Sequence, residues 1–202
     1  DLKRHADFSH VKRKKILVAG SSGLIGRQLV AFLDTGGHDV WRLVRRVTKP
    51  GEKEIRWNPS EGEINPDELE GFDTIIHLGG AGIGDKRWSK KRMKLIEESR
   101  TVSTTLLSET LANLKNKPES FVVSSAVGWY GERGDEELTE DSTPGHGFLP
   151  TTCARWEESC QAAKAAGIRT VNLRTGIVLD ATGGALGKML LPAKLGGGGP
   201  IG

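Results

Sequence analysis

The chain has 202 residues, of which 36% are hydrophobic and 27% charged, and its net charge at pH 7 is +3. So small a charge, spread over interspersed acidic and basic side chains, argues against a nucleic-acid partner. No apolar run approaches the roughly 20 residues of a membrane span, and the two cysteines fit neither a disulfide framework nor a metal spacing, so we expect a cytoplasmic protein with no membrane span and no metal site.

The first 13 residues form a polar segment of mixed charge, which we interpret as a linker. The basic cluster Lys12–Lys15 leaves two interpretations open, a solvated lead-in to the first strand or a localisation or phosphate-binding patch. The lead-in is favoured, because an apolar segment follows directly. We expect residues 14–202 to form the folded domain.

An apolar strand predicted at Lys15–Ala19 runs into three regularly spaced glycines and then into a helix predicted at Leu24–Asp34. The first glycine allows a sharp turn, the second lets the backbone approach a phosphate, and the third lets the helix pack closely. Free N–H groups at the helix start favour negative charge. A turn that needs glycines only for packing is the alternative. The pattern predicts a nucleotide pyrophosphate site at Gly20, Ser22, Gly23, Leu24, Ile25 and Gly26.

A second strand is predicted at Asp39–Val44, and it ends at Arg45 and Arg46. An acidic side chain at this point would bind the ribose 2′-hydroxyl, whereas a guanidinium suits a 2′-phosphate. The two arginines therefore predict NADP(H) as the preferred cofactor and NAD(H) as the alternative. They could also be solvated loop residues.

A weaker strand at Glu54–Trp57 precedes a strand predicted at Thr74–Leu78 that ends in glycines. Small residues at such an end let the adenosine and ribose of a cofactor lie against the backbone. We interpret His77, inside this apolar strand, as a hydrogen-bonded core residue rather than a catalytic one. Further cofactor contacts are predicted at Leu78, Gly79, Gly80 and Ala81.

A long helix is predicted at Ser89–Leu114, and its start is crowded with basic side chains. They could meet an anionic substrate, but a solvated helix face is the favoured interpretation. The basic residues are Lys86, Arg87, Lys90, Lys91, Arg92 and Lys94.

The strand predicted at Phe121–Ser125 ends in two hydroxyls and is followed by the only tyrosine, Tyr130. A hydroxyl at this edge could hydrogen-bond the hydroxyl or carbonyl of a substrate. Ser125 and Tyr130 are therefore the candidate catalytic residues. Local turn capping is the alternative for Ser125, and packing is the alternative for Tyr130.

Three further elements are predicted, a helix at Thr151–Ala166, a strand at Thr170–Arg174 and a helix at Ala185–Lys194. Strands and helices thus alternate, which is typical of a parallel sheet covered by helices on both faces. The predicted fold is α/β, a doubly wound Rossmann-type sheet with its ligand at the carboxyl ends of the strands. The glycine-rich end of the chain suggests that the C-terminal part of this domain lies beyond Gly202.

The three glycines, the segment Ser124–Gly131 and the segment Arg174–Leu179 together resemble the atypical extended short-chain dehydrogenases/reductases of the NAD-dependent epimerase type. The resemblance covers Lys14 to Gly202. It implies a nucleotide cofactor and a small carbonyl or sugar-nucleotide-like substrate. It also implies a possible upstream domain and a homodimer packed through the two long helices.

One departure from that family concerns proton transfer. Active members carry a Tyr and a Lys one helical turn apart, and the lysine lowers the pKa of the tyrosine. The corresponding segment, Thr151–Glu158, contains neither residue. Two hypotheses follow, an oxidoreductase or isomerase-like enzyme in which Ser125 polarises the reacting oxygen, or an NADP(H)-dependent sensor or scaffold whose partner affinity changes with the cofactor.

Overall fold

The computed structural model describes residues 12–197, an α/β fold. Eight strands lie in that part of the chain: β1 (Lys15–Ala19), β2 (Asp39–Val44), β3 (Glu54–Asn58), β4 (Glu63–Ile64), β5 (Thr74–His77), β6 (Ser120–Ala126), β7 (Arg169–Thr175) and β8 (Leu179–Asp180). Its α-helices are α1 (Leu24–Thr35), α2 (Lys90–Ala112), α3 (Phe148–Glu158), α4 (Gln161–Ala165) and α5 (Gly184–Lys194).

Seven strands form one sheet in the order β4-β3-β2-β1-β5-β6-β7. Ala19 at the end of β1 pairs with Leu43 on one side and with His77 on the other. All neighbours are parallel except β3 and β4, so the carboxyl ends of β1, β2, β5 and β6 meet at one edge. The predicted doubly wound sheet is confirmed. The antiparallel β4 was not predicted, because two residues are too few to show a periodic pattern.

Helices cover both faces of the sheet, because alternate residues of the buried strands point to opposite sides. On one face α1 packs against Ile16 and Val18. On the other, α2, α3 and α4 enclose the larger core, which includes Leu17 and Phe121. Because both faces of the strands are buried under helices, the strand sequences are nearly continuous apolar runs.

The single helix predicted at Thr151–Ala166 was wrong. The structure has two helices there, α3 and α4, with Ser159 and Cys160 between them. The Ser159 hydroxyl donates to the carbonyl of Arg155, and the Cys160 N–H bonds the carbonyl three residues earlier, so the last turn tightens and the helix ends. The other predicted elements have bounds within two residues of those observed. The predicted linker falls almost entirely outside the described residues.

Candidate functional site

The β1–α1 loop lies directly against the loop that follows β5. Gly20 has a φ of +82°, and a Cβ there would lie 2.8 Å from the backbone nitrogen of Gly79. A Cβ on Gly26 would lie 2.2 Å from the carbonyl oxygen of Gly20, so only glycine lets α1 start this close to the loop. Gly23 precedes α1 and provides no side-chain cap. The first N–H groups of the helix therefore remain available to an anion at the sheet edge.

Polar side chains of α2 hold the loop after β5 in place. Ser99 accepts a hydrogen bond from the N–H of Ala81 (2.9 Å), and Arg100 donates to the Ala81 carbonyl (3.0 Å). Arg92 donates to the carbonyl of Gly82. These three are positioning residues for the predicted cofactor contacts. Sequence analysis gave Ser99 and Arg100 no role, and its favoured interpretation of a solvated helix face was wrong for Arg92, whose side chain is only 12% exposed. The sequence feature that could have indicated them is a run of polar residues on the face of α2 that packs against the sheet.

The remaining basic residues at the start of α2 are exposed, as the favoured interpretation of that segment expected. They are Lys86, Arg87, Lys90, Lys91 and Lys94.

His77 is completely buried, with its Nε2 atom 2.9 Å from the Ser103 hydroxyl and its ring edge-on to Trp57. Burial, helped by the positive charge of Arg100, lowers the pKa of His77 from 6.5 to about 4. The imidazole is therefore neutral at physiological pH and links β5 to α2 as a hydrogen-bonded core residue.

We expect this histidine to make the protein less stable in mild acid. Between pH 6.5 and about 4 the unfolded imidazole takes up a proton that the folded one does not, so stability falls as the pH falls. The loss across this window should approach about 3 kcal/mol. Denaturant unfolding measured at several pH values tests this, with His77→Gln as the comparison. A variant whose pH dependence matches that of the wild type would contradict it.

At the end of β2, the two arginines predicted to contact a 2′-phosphate lie in different surroundings. Arg45 is exposed. The Arg46 guanidinium instead forms a forked ion pair with the buried carboxylate of Glu54, with N···O distances of 2.8 and 2.5 Å.

The two candidate catalytic residues are joined by an ion pair at the carboxyl ends of β6 and β7. The Ser125 hydroxyl donates to Oε1 of Glu157 (2.6 Å). Arg174 donates through Nε and Nη2 to the two oxygens of the same carboxylate (2.9 and 3.0 Å), and through Nη1 to the Tyr130 hydroxyl (3.2 Å). The guanidinium also lies 3.9 Å from the centre of the Trp129 ring. Hydrogen bonds thus connect two hydroxyls, a carboxylate and a cation in the order Ser125, Glu157, Arg174 and Tyr130.

The electrostatics of this network follow from its geometry. The hydrogen-bonded carboxylate of Glu157 raises the pKa of Arg174 above its usual value, so the guanidinium stays charged. Ser125 is only 3% exposed. Its hydroxyl proton is directed to Glu157, which leaves its oxygen lone pairs as the groups that a ligand could reach.

Helix α3 carries different residues where the family resemblance leads one to expect Tyr and Lys. Thr152 is buried, and its hydroxyl has no hydrogen-bond partner among residues 12–197. Trp156 donates its indole N–H to Thr104 (3.0 Å) and packs in the core. The side chain that this helix presents to Ser125 is Glu157. Sequence analysis did not assign a role to Glu157 or Arg174, because their contact depends on the packing of α3 against β7.

A cavity of about 740 Å³ opens beside the glycine loop on the α1 side of the sheet. Its lining is mainly apolar and includes three predicted cofactor residues, Leu24, Ile25 and Leu78, together with Ser124 at the end of β6. Within residues 12–197 there is no cluster of three metal-ligating side chains, and no helix is long and apolar enough to cross a membrane.

Comparison with protein families gives a match over residues 16–179 to the NAD-dependent epimerase/dehydratase family. An epimerase family protein from Mycobacterium tuberculosis, MT2273, is 38% identical over 189 residues, which cover 91% of this chain and 62% of that protein. Human SDR39U1 is 36% identical over 193 residues, covering 93% of this chain and 62% of its own. The chain therefore spans about three-fifths of the length of these relatives.

Comparison with solved structures also gives matches to epimerase proteins. A nucleoside-diphosphate sugar epimerase from Corynebacterium glutamicum superposes with a TM-score of 0.80 at 38% identity, covering 95% of this chain and 39% of that chain. Human SDR39U1, crystallised with NADPH, superposes with a TM-score of 0.79 at 32% identity, covering 93% of this chain and 62% of that chain.

Proposed function

The chain belongs to the NAD-dependent epimerase/dehydratase family, and on that premise we propose that it binds NADP(H) and acts as an oxidoreductase or isomerase on a small carbonyl or sugar-nucleotide-like substrate. The observation that carries the proposal is the contact of Gly20 with the Leu78–Gly79 segment. This contact lines the carboxyl edge of the sheet with bare backbone, which a pyrophosphate and a ribose can approach. The NADPH in the structure of the human relative supports the proposed cofactor.

Separate parts of the edge would hold separate parts of the cofactor. The N–H groups at the start of α1 suit the pyrophosphate, the arginines after β2 suit a 2′-phosphate, and the backbone of Leu78–Ala81 suits the adenosine. When bound, the nicotinamide supplies a hydride donor or acceptor.

The chain's own residues would orient the substrate and handle the proton. The Tyr130 hydroxyl, which accepts from Arg174, would donate to the reacting oxygen of the substrate. The Ser125 hydroxyl, which donates to Glu157, would accept a hydrogen bond from a substrate hydroxyl. The Glu157 carboxylate is the acceptor for the Ser125 proton, and the charged Arg174 stabilises that carboxylate. This ion pair would take over the orienting role that a helix-borne Tyr and Lys have in active relatives.

The alternative function is an NADP(H)-dependent sensor or scaffold. The specific observation in its favour is the burial of Ser125, whose hydroxyl is already bonded to Glu157. In this case the cofactor binds without turnover, and a partner's affinity changes with the cofactor, which requires a reciprocal change in cofactor affinity.

Paired titrations of NADPH and NADH, followed by tryptophan fluorescence, test cofactor binding. Turnover is then measured by nicotinamide absorbance with a panel of carbonyl compounds and sugar nucleotides. For the enzyme we expect Ser125→Ala to lower kcat/KM by about a hundredfold and to leave the dissociation constant of NADPH within about twofold.

Ser120→Ala is the matched control, because this serine lies at the other end of β6, away from the carboxyl edge, where its hydroxyl contacts that of Thr74 (3.0 Å). Binding of NADPH with no turnover across the panel would support the sensor. Failure to bind either dinucleotide would contradict both functions.

A further inference from the structure

Glu54, at the start of β3, is a carboxylate completely enclosed beside the predicted cofactor edge. Its side chain has no exposed surface. It accepts two hydrogen bonds from Arg46 and one from the backbone N–H of Lys49 (3.0 Å), and Arg42 lies 3.4 Å away. These contacts hold the pKa of Glu54 near 2, so the carboxylate is ionised at every physiological pH.

The terminal nitrogens of Arg46 already donate hydrogen bonds within the protein. Both of its terminal nitrogens donate to Glu54, and Nη1 also donates to the carbonyl of Val47 (2.8 Å). The charge of this guanidinium is balanced by the carboxylate, and its Nη1–Nη2 edge, one of the two edges that can receive a phosphate in a bidentate fashion, is filled. Turning Arg46 toward a ligand would leave a buried carboxylate without its principal partner, which is strongly unfavourable.

Arg45 differs from its neighbour in its partners rather than in its exposure. Both side chains reach solvent, that of Arg46 being 49% exposed, but no carboxylate among residues 12–197 forms an ion pair with Arg45. The sheet register places it at the edge that carries the glycine loop, because Leu43 pairs with Ala19 and Arg45 comes two residues later. Its guanidinium can therefore meet a phosphate with its charge unbalanced and its donors free.

We propose that Glu54 determines cofactor selectivity by withholding Arg46, so that Arg45 alone recognises the 2′-phosphate of NADP(H). The inference rests on the proposed function, since it concerns the same cofactor site. Glu54 is a specificity-determining residue that acts through Arg46 and does not itself contact the cofactor. A chain with both guanidiniums free would carry one more positive charge at this edge and would bind the 2′-phosphate more tightly.

The test measures dissociation constants for NADPH, NADH, 2′,5′-ADP and 5′-AMP in the wild type and in four variants. We expect Arg45→Gln to raise the dissociation constants of NADPH and 2′,5′-ADP by about tenfold or more. The dissociation constants of NADH and 5′-AMP should change by less than about twofold. Glu54→Gln releases Arg46, so the dissociation constant of NADPH should fall by about tenfold while that of NADH changes little.

The double variant Arg46→Gln/Glu54→Gln is the matched control. It removes the ion pair as a neutral unit, so we expect its NADPH preference to lie within about twofold of the wild type. Arg46→Gln alone leaves the negative charge of the Glu54 carboxylate unbalanced and should lower the affinity for NADPH. Adding Glu54→Gln should restore that affinity. A merely structural pair would not give this rescue together with the gain in the Glu54→Gln variant.

Three outcomes would overturn the inference. The first is a double variant that loses NADPH preference as fully as Arg45→Gln, and the second is a Glu54→Gln variant that folds but binds NADPH no better than wild type. In both cases wild-type binding of NADPH would leave the proposed function standing. The third is a wild type that binds neither NADPH nor 2′,5′-ADP, which would overturn the proposed function and this inference together.

Discussion

A Gly26→Ala variant is expected to lose more than about a thousandfold in NADPH affinity and to be less stable than the wild type by about 1–3 kcal/mol. The added Cβ would lie 2.2 Å from the Gly20 carbonyl oxygen and 2.8 Å from Cα of Ser21. Both are backbone atoms, so no side-chain rotation relieves the contact. The start of α1 must move away from the loop, and two charge-assisted hydrogen bonds to the pyrophosphate, each of about 2 kcal/mol, would be lost.

Gly187→Ala provides the control for this experiment. Gly187 is also a helical glycine, in α5, but an added Cβ would meet nothing closer than 3.5 Å. We expect unchanged NADPH affinity and a change in stability below about 1 kcal/mol. NADPH titration and denaturant unfolding of both variants decide the matter. If Gly26→Ala bound NADPH as the wild type does, the glycine loop would not be the pyrophosphate site.

An Arg174→Gln variant is expected to be less stable by about 3–5 kcal/mol and to lose about a thousandfold in kcat/KM on any substrate that the wild type turns over. The substitution removes both hydrogen bonds from Arg174 to the Glu157 carboxylate, which is only 13% exposed and would lose its balancing charge. It also removes the hydrogen bond to Tyr130 and the stacking on Trp129. The two candidate hydroxyls would then lose their shared support.

A double-mutant cycle with Glu157→Gln separates the ion pair from the rest of the network. The sum of the stability losses in the two single variants should exceed the stability loss in the double variant, because the double variant leaves no unbalanced charge. Arg133→Gln is the control, since Arg133 forms a similar forked pair with the more exposed Glu136, and such an exposed pair should contribute little to stability. Equal losses at Arg174 and Arg133 would contradict a special role for the Glu157 pair.

The elements that the sequence predicted well are those whose pattern is local. The glycine spacing after β1 predicts a turn and a helix start within seven residues, and the structure has both in that order. The parallel order of the sheet follows from the alternation of strands and helices, because parallel strands need crossover connections. The break at Ser159 and Cys160 was missed, because side-chain bonds back to the helix carbonyls decide it rather than hydrophobic periodicity.

The candidate site was predictable only in part, for a related reason. Ser125 lies at the end of β6 and Tyr130 follows it, so their place at the sheet edge could be inferred from the sequence. Glu157 and Arg174 are 17 positions apart in the chain, on different elements, and their ion pair exists only once α3 packs beside β7. The ion pair that distinguishes Arg46 from Arg45 likewise depends on Glu54, which lies beside Arg46 through the pairing of β2 with β3.

Helix α2 connects distant parts of the molecule as a single stiff rod. Over its 23 residues, which amount to about 34 Å at 1.5 Å per residue, Ser99 and Arg100 bond the loop after β5, Thr104 bonds Trp156, and Ser108 bonds the N–H of Ala163. A displacement of the loop therefore cannot remain local, since it would shift the helix and with it both α3 and α4.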